Sequence, residues 1–410
     1  MTFQEKLQEY ADLIVQVGLN VQQGQYVQIQ TTVDSIEFAR LVVQQAYKAG
    51  ASHVDVQLSD NTVTRAFFDL APDASFDDVP KWVAAQRDEL IDRQGALLWI
   101  DAEDPDLLEG VSPVKLSRYQ KASSTLLKRY RKAVMNDEIT WSIAAVPSEK
   151  WAKKVYPELS EEQAVAALWE KIFDVVRIGT GEAVPKWKAH IQQLNNRATY
   201  LNSRNYTTLH YKSKTTDLHV GLPKGHIWMS GSSTNAAGMP FIANMPTEEV
   251  YTLPDRLRVD GTVSNSKPFI YQGNRIDGFT LTFKEGKVVE AVAQQGQQLL
   301  EQLLTSDDKA AFLGEVALVP YDSPISASNT IFYNTLFDEN ASHHLAFGEA
   351  YPTTLTDGKH MTEDELLAKG ANVSLIHEDF MIGTSDMDID GILEDGTQEP
   401  IFRQGNWALK

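Results

Sequence analysis

The second half of the chain contains five side chains of the types that bind divalent cations. They lie in four separated segments: Glu249 in Asn244-Met-Pro-Thr-Glu-Glu-Val250, Glu315 in Gly314-Glu-Val-Ala-Leu-Val319, His344 in Ser342-His-His-Leu345, and His377 with Asp379 in Ile376-His-Glu-Asp-Phe380. Carboxylates and imidazoles in this combination can hold a pair of divalent ions. Such a pair converts a bound water into a nucleophile at neutral pH.

His377 and Asp379 lie in a segment whose residues alternate in polarity, which is typical of a strand. Positions two apart on a strand project from the same face, so these two side chains can grip one ion and Glu378 points away. The alternative to metal binding is an exposed strand end that carries a charged pair.

Several of the other candidates could also have roles that do not involve a metal ion. Glu248 and Glu249 could be surface charges of a loop, and Glu315, at the start of an apolar strand, could form a salt bridge. Because His343 and His344 are adjacent, only one of them should be a ligand. Glu339 lies five residues before His344 and could support or join the site. Tyr351 could place a phenol beside the ions to stabilise a developing oxyanion.

Composition excludes several other kinds of site. The chain has no cysteine, so any metal must be held by oxygen and imidazole nitrogen. A net charge of −19 argues against nucleic acid as a partner. No apolar run is long enough to cross a bilayer, and the N-terminus has no signal-peptide pattern, so we expect a cytoplasmic protein without a membrane partner.

A length of 410 residues favours two domains. Up to about residue 195, helical and strand patterns alternate, which predicts an N-terminal α/β domain (1–195) with a largely parallel open sheet. From residue 196 to 410, short strand patterns predict a β-rich α+β domain that holds the catalytic metal site. They include a strand at Val373–His377, and a helix is predicted from Glu290 to Leu304.

The best-known catalytic motifs do not match. His377-Glu-Asp-Phe-Met381 lacks the second histidine of a zincin helix, and Gly231–Gly238 contains neither a nucleophile elbow nor a phosphate-binding lysine. Asp386-Met-Asp-Ile-Asp-Gly391 opens like a calcium loop, but Thr397 stands where the motif requires glutamate. Its alternating Met387 and Ile389 favour an amphipathic strand.

Four segments together resemble one family, the M29 metallo-aminopeptidases of the aminopeptidase T, aminopeptidase S and PepS group. They are Asn244–Val250, Gly314–Val319, Asp338–Pro352 and Ile376–Gly383, and the resemblance runs the full length of the chain. It implies that Glu249, Glu315, His344, His377 and Asp379 hold the metal ions, and that Tyr351 is a further site residue. It also implies zinc or cobalt as the ions, and a two-domain homodimer with its active site in the C-terminal domain facing an enclosed cavity.

The five candidate ligands, together with what the resemblance implies, predict a metal-dependent aminopeptidase that removes N-terminal residues from peptides with water activated by two metal ions. Proton transfer to the leaving amine requires a general acid/base, for which Glu248 and Glu339 are the candidates. The alternatives are a two-metal amidase or phosphoesterase of a non-peptide metabolite and a non-catalytic metal- or peptide-binding protein. The site segments lack the Lys and Arg that phosphoesters would favour.

Overall fold

A computed structural model describes residues 1–102, 104–271 and 274–409. The helices of the described residues are α1 Phe3–Leu13, α2 Ile36–Lys48, α3 Asn61–Leu70, α4 Lys81–Asp92, α5 Pro113–Leu126, α6 Lys128–Met135, α7 Glu149–Val155, α8 Glu161–Val175, α9 Ala183–Arg204, α10 Gln297–Leu304, α11 Pro324–Ala327, α12 Thr335–Asp338 and α13 Glu363–Ala368. Over these residues, no helix is both long enough and apolar enough to cross a membrane.

The strands follow the same pattern as the sequence predicted, with short segments in the second half. They are β1 Tyr26–Thr32, β2 His53–Ser59, β3 Ala96–Asp101, β4 Thr140–Ala145, β5 Thr208–Lys212, β6 Asp217–Gly221, β7 Met229–Ser230, β8 Ser232–Thr234, β9 Pro240–Ile242, β10 Asn244–Met245, β11 Val250–Thr252, β12 Val259–Ser264, β13 Phe269–Tyr271, β14 Asn274–Lys284, β15 Lys287–Gln295, β16 Leu313–Leu318, β17 His344–Gly348, β18 His377–Met381, β19 Asp388–Ile392, β20 Gln398–Arg403 and β21 Asn406–Trp407.

The chain divides into two compact units. The first consists of Met1–Gln193 and Gly231–Thr247, and the second of Leu194–Ser230 and Glu248–Lys410. One crossing between the units therefore falls inside α9. The boundaries predicted for independently folding domains, 1–195 and 196–410, stay a prediction.

The first unit is built on a parallel sheet with the strand order β10-β4-β3-β1-β2. Its central strand β3 is almost fully buried, as expected for a parallel strand covered by helices on both faces. Capping boxes at Thr2 and Ser160 satisfy the first backbone N–H groups of α1 and α8. This arrangement confirms the predicted α/β class.

The second unit contains two antiparallel sheets. The larger antiparallel sheet has the order β13-β14-β12-β6-β5-β19-β20-β21, with β15 also pairing with β14. The smaller antiparallel sheet has the order β18-β17-β16-β11-β7. Every residue of β16 and β17 is buried, so polar side chains on these two strands need partners inside the protein.

Two predicted elements were wrong in their bounds. Residues 290–295 belong to β15 rather than to a helix, because they pair with β14, and α10 begins only at Gln297. The predicted strand Val373–His377 lies four residues too early, since β18 begins at His377. The residues before it are held by a side chain instead: the Asp307 carboxylate accepts hydrogen bonds from the Ser374 hydroxyl and from the backbone N–H of Leu375.

Candidate metal centre

The smaller antiparallel sheet aligns two of the predicted ligands in one cross-strand row. Glu315 on β16 lies opposite Ala346 on β17, and Ala346 lies opposite Asp379 on β18. Directly opposite residues of antiparallel strands share a face. The small alanine therefore leaves room between the two carboxylates.

Two histidines join this row from neighbouring positions on the same face. His344 Nε2 lies 3.1 Å from Glu249 Oε2 and 3.7 Å from Glu315 Oε1. His377 Nε2 lies 3.7 Å from Glu315 Oε2 and 3.7 Å from Asp379 Oδ2. The structure thus brings all five predicted ligands together, with each oxygen of the Glu315 carboxylate directed at a different imidazole.

Backbone carbonyls fix the orientation of both imidazoles. Nδ1 of His344 donates to the carbonyl oxygen of Glu339 at 3.0 Å, and Nδ1 of His377 donates to that of Glu349 at 2.7 Å. With Nδ1 protonated, the Nε2 lone pair faces the carboxylates. Metal-binding histidines are held in the same way by a carbonyl or carboxylate on their second nitrogen.

The ligand cluster is mostly buried, with His377 and Asp379 half-buried, and it is dominated by negative charge. His344 is 1% exposed and Glu315 5%. Burial and the charge of Asp379 raise the pKa of Glu315 to about 7, against the lowering effect of the hydrogen bond from His344. Burial alone would lower the pKa of His344, but its hydrogen bonds to Glu249 and Glu315 raise that pKa well above its usual range. In the absence of cations, the raised pKa values of Glu315 and His344 favour protons on their side chains.

The donor atoms fit divalent cations. Glu249, Glu315 and His344 each offer one donor atom within 4.8 Å of the others. Asp379 Oδ1 is buried and has no hydrogen-bond partner among the described residues. Such an orphaned carboxylate oxygen is costly unless a cation binds it. Oxygen and imidazole nitrogen are ligands that Zn²⁺ and related ions accept.

The two candidate acid/base glutamates are linked through one buried amide. Asn340 accepts a hydrogen bond from the backbone N–H of Glu248 at 2.7 Å and donates to the Glu339 carboxylate at 3.3 Å. Burial and the charges of Asp379 and Glu249 raise the pKa of Glu339 well above its ordinary value. The Glu339 carboxylate is therefore electrostatically coupled to the ligand cluster, and Glu248 is tied to the cluster through its main chain.

Tyr351 lies beside the ligands, as predicted. Its ring packs against that of His377 with centroids 4.9 Å apart, and against Tyr251 at 6.0 Å. Burial and the charge of Glu315 raise the pKa of Tyr351 well above its usual value. The phenol is therefore protonated at neutral pH and able to donate a hydrogen bond.

The two adjacent histidines have separate surroundings. His343 Nδ1 accepts a hydrogen bond from the backbone N–H of Val319 at 3.1 Å, and its ring meets that of Phe402 edge to face at 4.4 Å. His344 faces Glu249 and Glu315 instead. The two rings therefore point in different directions, and of the two only His344 faces the other candidate ligands.

Two residues that shape the centre were missed from the sequence. Asn340 links Glu248 and Glu339, and its position directly after Glu339 was the available signal. Gly314 lies at a register shift before Glu315, where an added Cβ would stand 2.3 Å from the carbonyl oxygen of Glu349. Only glycine permits this approach, and no local pattern reveals it.

The whole chain is similar to known peptidases. A family model described as thermophilic metalloprotease (M29) matches residues 3–407. Aminopeptidase AmpS of Bacillus subtilis is 47% identical over 408 residues, which cover 100% of both chains. Aminopeptidase T of Thermus thermophilus is 39% identical over 407 residues, or 99% of each chain. The solved structure of wild-type AmpT from Thermus thermophilus matches with a TM-score of 0.92 and 38% identity, covering 100% of both chains.

Proposed function

Because the chain belongs to the M29 metalloprotease family and is a metal-dependent aminopeptidase, we propose that its second unit holds two divalent cations for hydrolysis of N-terminal peptide bonds. The observation that carries this proposal is the position of Glu315. Its two carboxylate oxygens face His344 and His377 separately, each at 3.7 Å. A carboxylate placed in this way is suited to bridge two ions.

The five residues would divide between the two ions on either side of Glu315. Glu249 and His344 lie on one side of Glu315, and His377 and Asp379 on the other. When bound, the ions supply an activated water nucleophile and polarise the scissile carbonyl. The protein fixes the ligand atoms in advance, through the carbonyl-bound imidazoles and the buried strands β16 and β17.

Proton transfer belongs to Glu339 or Glu248. Glu339 is favoured because burial and the nearby charges of Asp379 and Glu249 raise the pKa of its carboxyl group well above the ordinary value. A glutamate with a raised pKa can take a proton from water and deliver it to the leaving amine. Glu339 could also join the ligands, so Glu339→Gln should be compared with Glu248→Gln for bound metal as well as for turnover.

Tyr351 is suited to stabilise the oxyanion of the tetrahedral intermediate. Its phenol is protonated, and its ring lies against His377, one of the proposed ligands. A donor aimed at developing negative charge acts most strongly in a buried site.

Four further properties of the enzyme are proposed: its metal ions, its substrates, its location and its oligomeric state. Oxygen and imidazole ligands without cysteine suit Zn²⁺ or Co²⁺. Peptides are the proposed substrates, and a net charge of −19 disfavours nucleic acid. A homodimer in the cytoplasm and the absence of a membrane partner stay predictions.

The deciding experiment is hydrolysis of a set of aminoacyl-p-nitroanilides by the purified chain. Activity should disappear after treatment with a chelator and return when Zn²⁺ or Co²⁺ is added. The number of bound ions per chain, measured in parallel, should be two in the active protein. Full activity with a single ion would overturn the two-ion proposal. Family membership disfavours a non-peptide amidase or phosphoesterase, and a matched phosphoryl substrate panel should give no turnover.

A further inference from the structure

A second group of metal-binding side chains lies on the larger antiparallel sheet. His210 on β5 is directly opposite His219 on β6. Their imidazole rings stack with centroids 3.9 Å apart and planes inclined by 13°. The strand register therefore holds two imidazoles side by side on one face of the sheet.

A carboxylate completes the group. Asp217 lies two residues before His219 on β6 and therefore projects from the same face. Its Oδ1 lies 2.7 Å from His210 Nε2. One donor atom from each of these three residues lies within 4.8 Å of the other two.

We propose that His210, His219 and Asp217 form a second site for a divalent transition metal such as Zn²⁺, separate from the hydrolytic centre. Two imidazole nitrogens and one carboxylate oxygen are a frequent zinc ligand set, with water in the remaining position. Metal–ligand bonds of about 2.0–2.1 Å place two ligands about 3–3.4 Å apart. The 2.7 Å pair must therefore open by less than about 1 Å.

The surroundings of this site are mainly acidic. In the cross-strand register, Asp260 on β12 lies opposite His219, and Asp390 on β19 lies opposite His210. Asp390 is already paired with Arg403, and Asp260 accepts a hydrogen bond from the backbone N–H of Glu285. Lys212, opposite Asp217, adds a positive charge that opposes an ion.

The site is open to solvent. The side chain of His210 is 18% exposed and that of Asp217 is 64% exposed. An ion can therefore enter and leave without local unfolding. A bound ion would join β5 to β6 near the middle of the larger antiparallel sheet, so it should stabilise the folded chain by an amount that grows with the logarithm of the free ion concentration above Kd.

Metal counting tests this proposal independently of the peptidase reaction. The full-length wild-type chain and His219→Asn are dialysed against the same buffered free Zn²⁺, and bound zinc is measured by mass spectrometry. The variant should bind one ion fewer per chain and show a smaller zinc-dependent rise in Tm. His210→Asn should reproduce that loss, and Lys212→Gln should lower the Kd for the additional ion.

His360→Asn serves as the matched control, because His360 is also exposed and lies outside the group. It should keep the wild-type zinc stoichiometry. Equal zinc binding by wild type, His219→Asn and His210→Asn would overturn the proposal. Aminopeptidase activity should stay unchanged in His219→Asn, so failure here is distinguishable from failure of the two-ion centre.

Discussion

Two groups of histidines and carboxylates lie in the second unit, one buried and one exposed. In the buried group His344 is 1% exposed, and backbone carbonyls orient both imidazoles. In the exposed group the Asp217 side chain is 64% exposed, and the imidazoles are positioned by ring stacking and by Asp217 itself. Both groups have the donor types of a zinc site.

The difference lies in what happens when no ion is bound. Water can solvate Asp217, so the exposed group is stable as an ordinary hydrogen-bonded pair. Glu315 and Glu339 are buried with other carboxylates, which raises the pKa of each of them. A buried charge that loses its partner lowers the folding stability by about 3–5 kcal/mol. Burial therefore commits the first group to cations, whereas the second can take or release an ion.

The largest expected effect is on catalysis at the buried group. Glu315→Gln keeps the size of the side chain but removes the charge of the proposed bridging carboxylate, and His377→Ala removes one proposed ligand. Each should lower kcat/KM by at least about 10³-fold, or about 4 kcal/mol of transition-state stabilisation. Steady-state kinetics with an aminoacyl-p-nitroanilide measures this loss, and circular dichroism checks that the fold is retained.

The matched substitution in the exposed group is His219→Asn, which should leave kcat/KM within about twofold of wild type because surface changes away from the site are usually mild. Wild-type activity in Glu315→Gln or in His377→Ala would show that the ligands have been wrongly assigned. A large loss in His219→Asn would show that the two groups are not independent.

A smaller loss is expected when the oxyanion donor is removed. Tyr351→Phe keeps the ring contact with His377 but deletes the hydroxyl. kcat should fall by about 10²-fold with little change in KM, since the hydrogen bond strengthens only in the transition state. A rise in KM at constant kcat would instead assign Tyr351 to substrate binding.

Gly314→Ala tests how far the buried group depends on its backbone frame. The new Cβ would stand 2.3 Å from the carbonyl oxygen of Glu349, which accepts a hydrogen bond from Nδ1 of His377. Displacing that acceptor should reduce metal affinity or kcat/KM by about 10–100-fold.

Gly396→Ala is the control for that substitution. Gly396 also lies in the second unit, with a φ of 85° and no atom within 4 Å of an added Cβ. It should cost about 1 kcal/mol of stability from backbone strain and leave metal binding unchanged. Equal metal affinities in both variants would mean that the Glu349 carbonyl does not position His377.

The sequence predicted the residues of the buried group but not those of the exposed group. His377 and Asp379 are two apart on one strand, so their shared face follows from the pleat alone. The resemblance of the four segments identified Glu249, Glu315 and His344, which the order of strands in the smaller sheet then brings together. His210 and His219 were not recognised, because only the register of β5 against β6 makes them neighbours.

Errors in the predicted elements have the same physical origin. Residues 290–295 were predicted as the start of a helix, but pairing with β14 decides their conformation. The alternation at 373–377 continues into β18, so the sequence located a strand but not its start. Strand pairing is a tertiary effect, and local patterns do not contain it.

The smallest expected effect is a pH dependence of folding stability that comes from His343. Burial lowers the pKa of His343 to about 3, whereas an unfolded histidine titrates near about 6.5. Its folded pKa is depressed, so the stabilisation is complete above pH 6.5 and is lost as the pH falls towards 3. Between pH 7 and pH 5, His343 should lower the free energy of unfolding of the metal-free chain by about 2 kcal/mol.

His343→Gln removes that titration, although it also weakens the contact with the Val319 N–H and so lowers stability at pH 7. Thermal unfolding of both metal-free proteins at pH 7 and pH 5 should therefore give Tm values that converge as the pH falls. Every other titrating group is common to the two proteins and cancels in the difference. Parallel Tm curves would mean that His343 is protonated in the folded state, and the contrast between the two adjacent histidines would then be wrong.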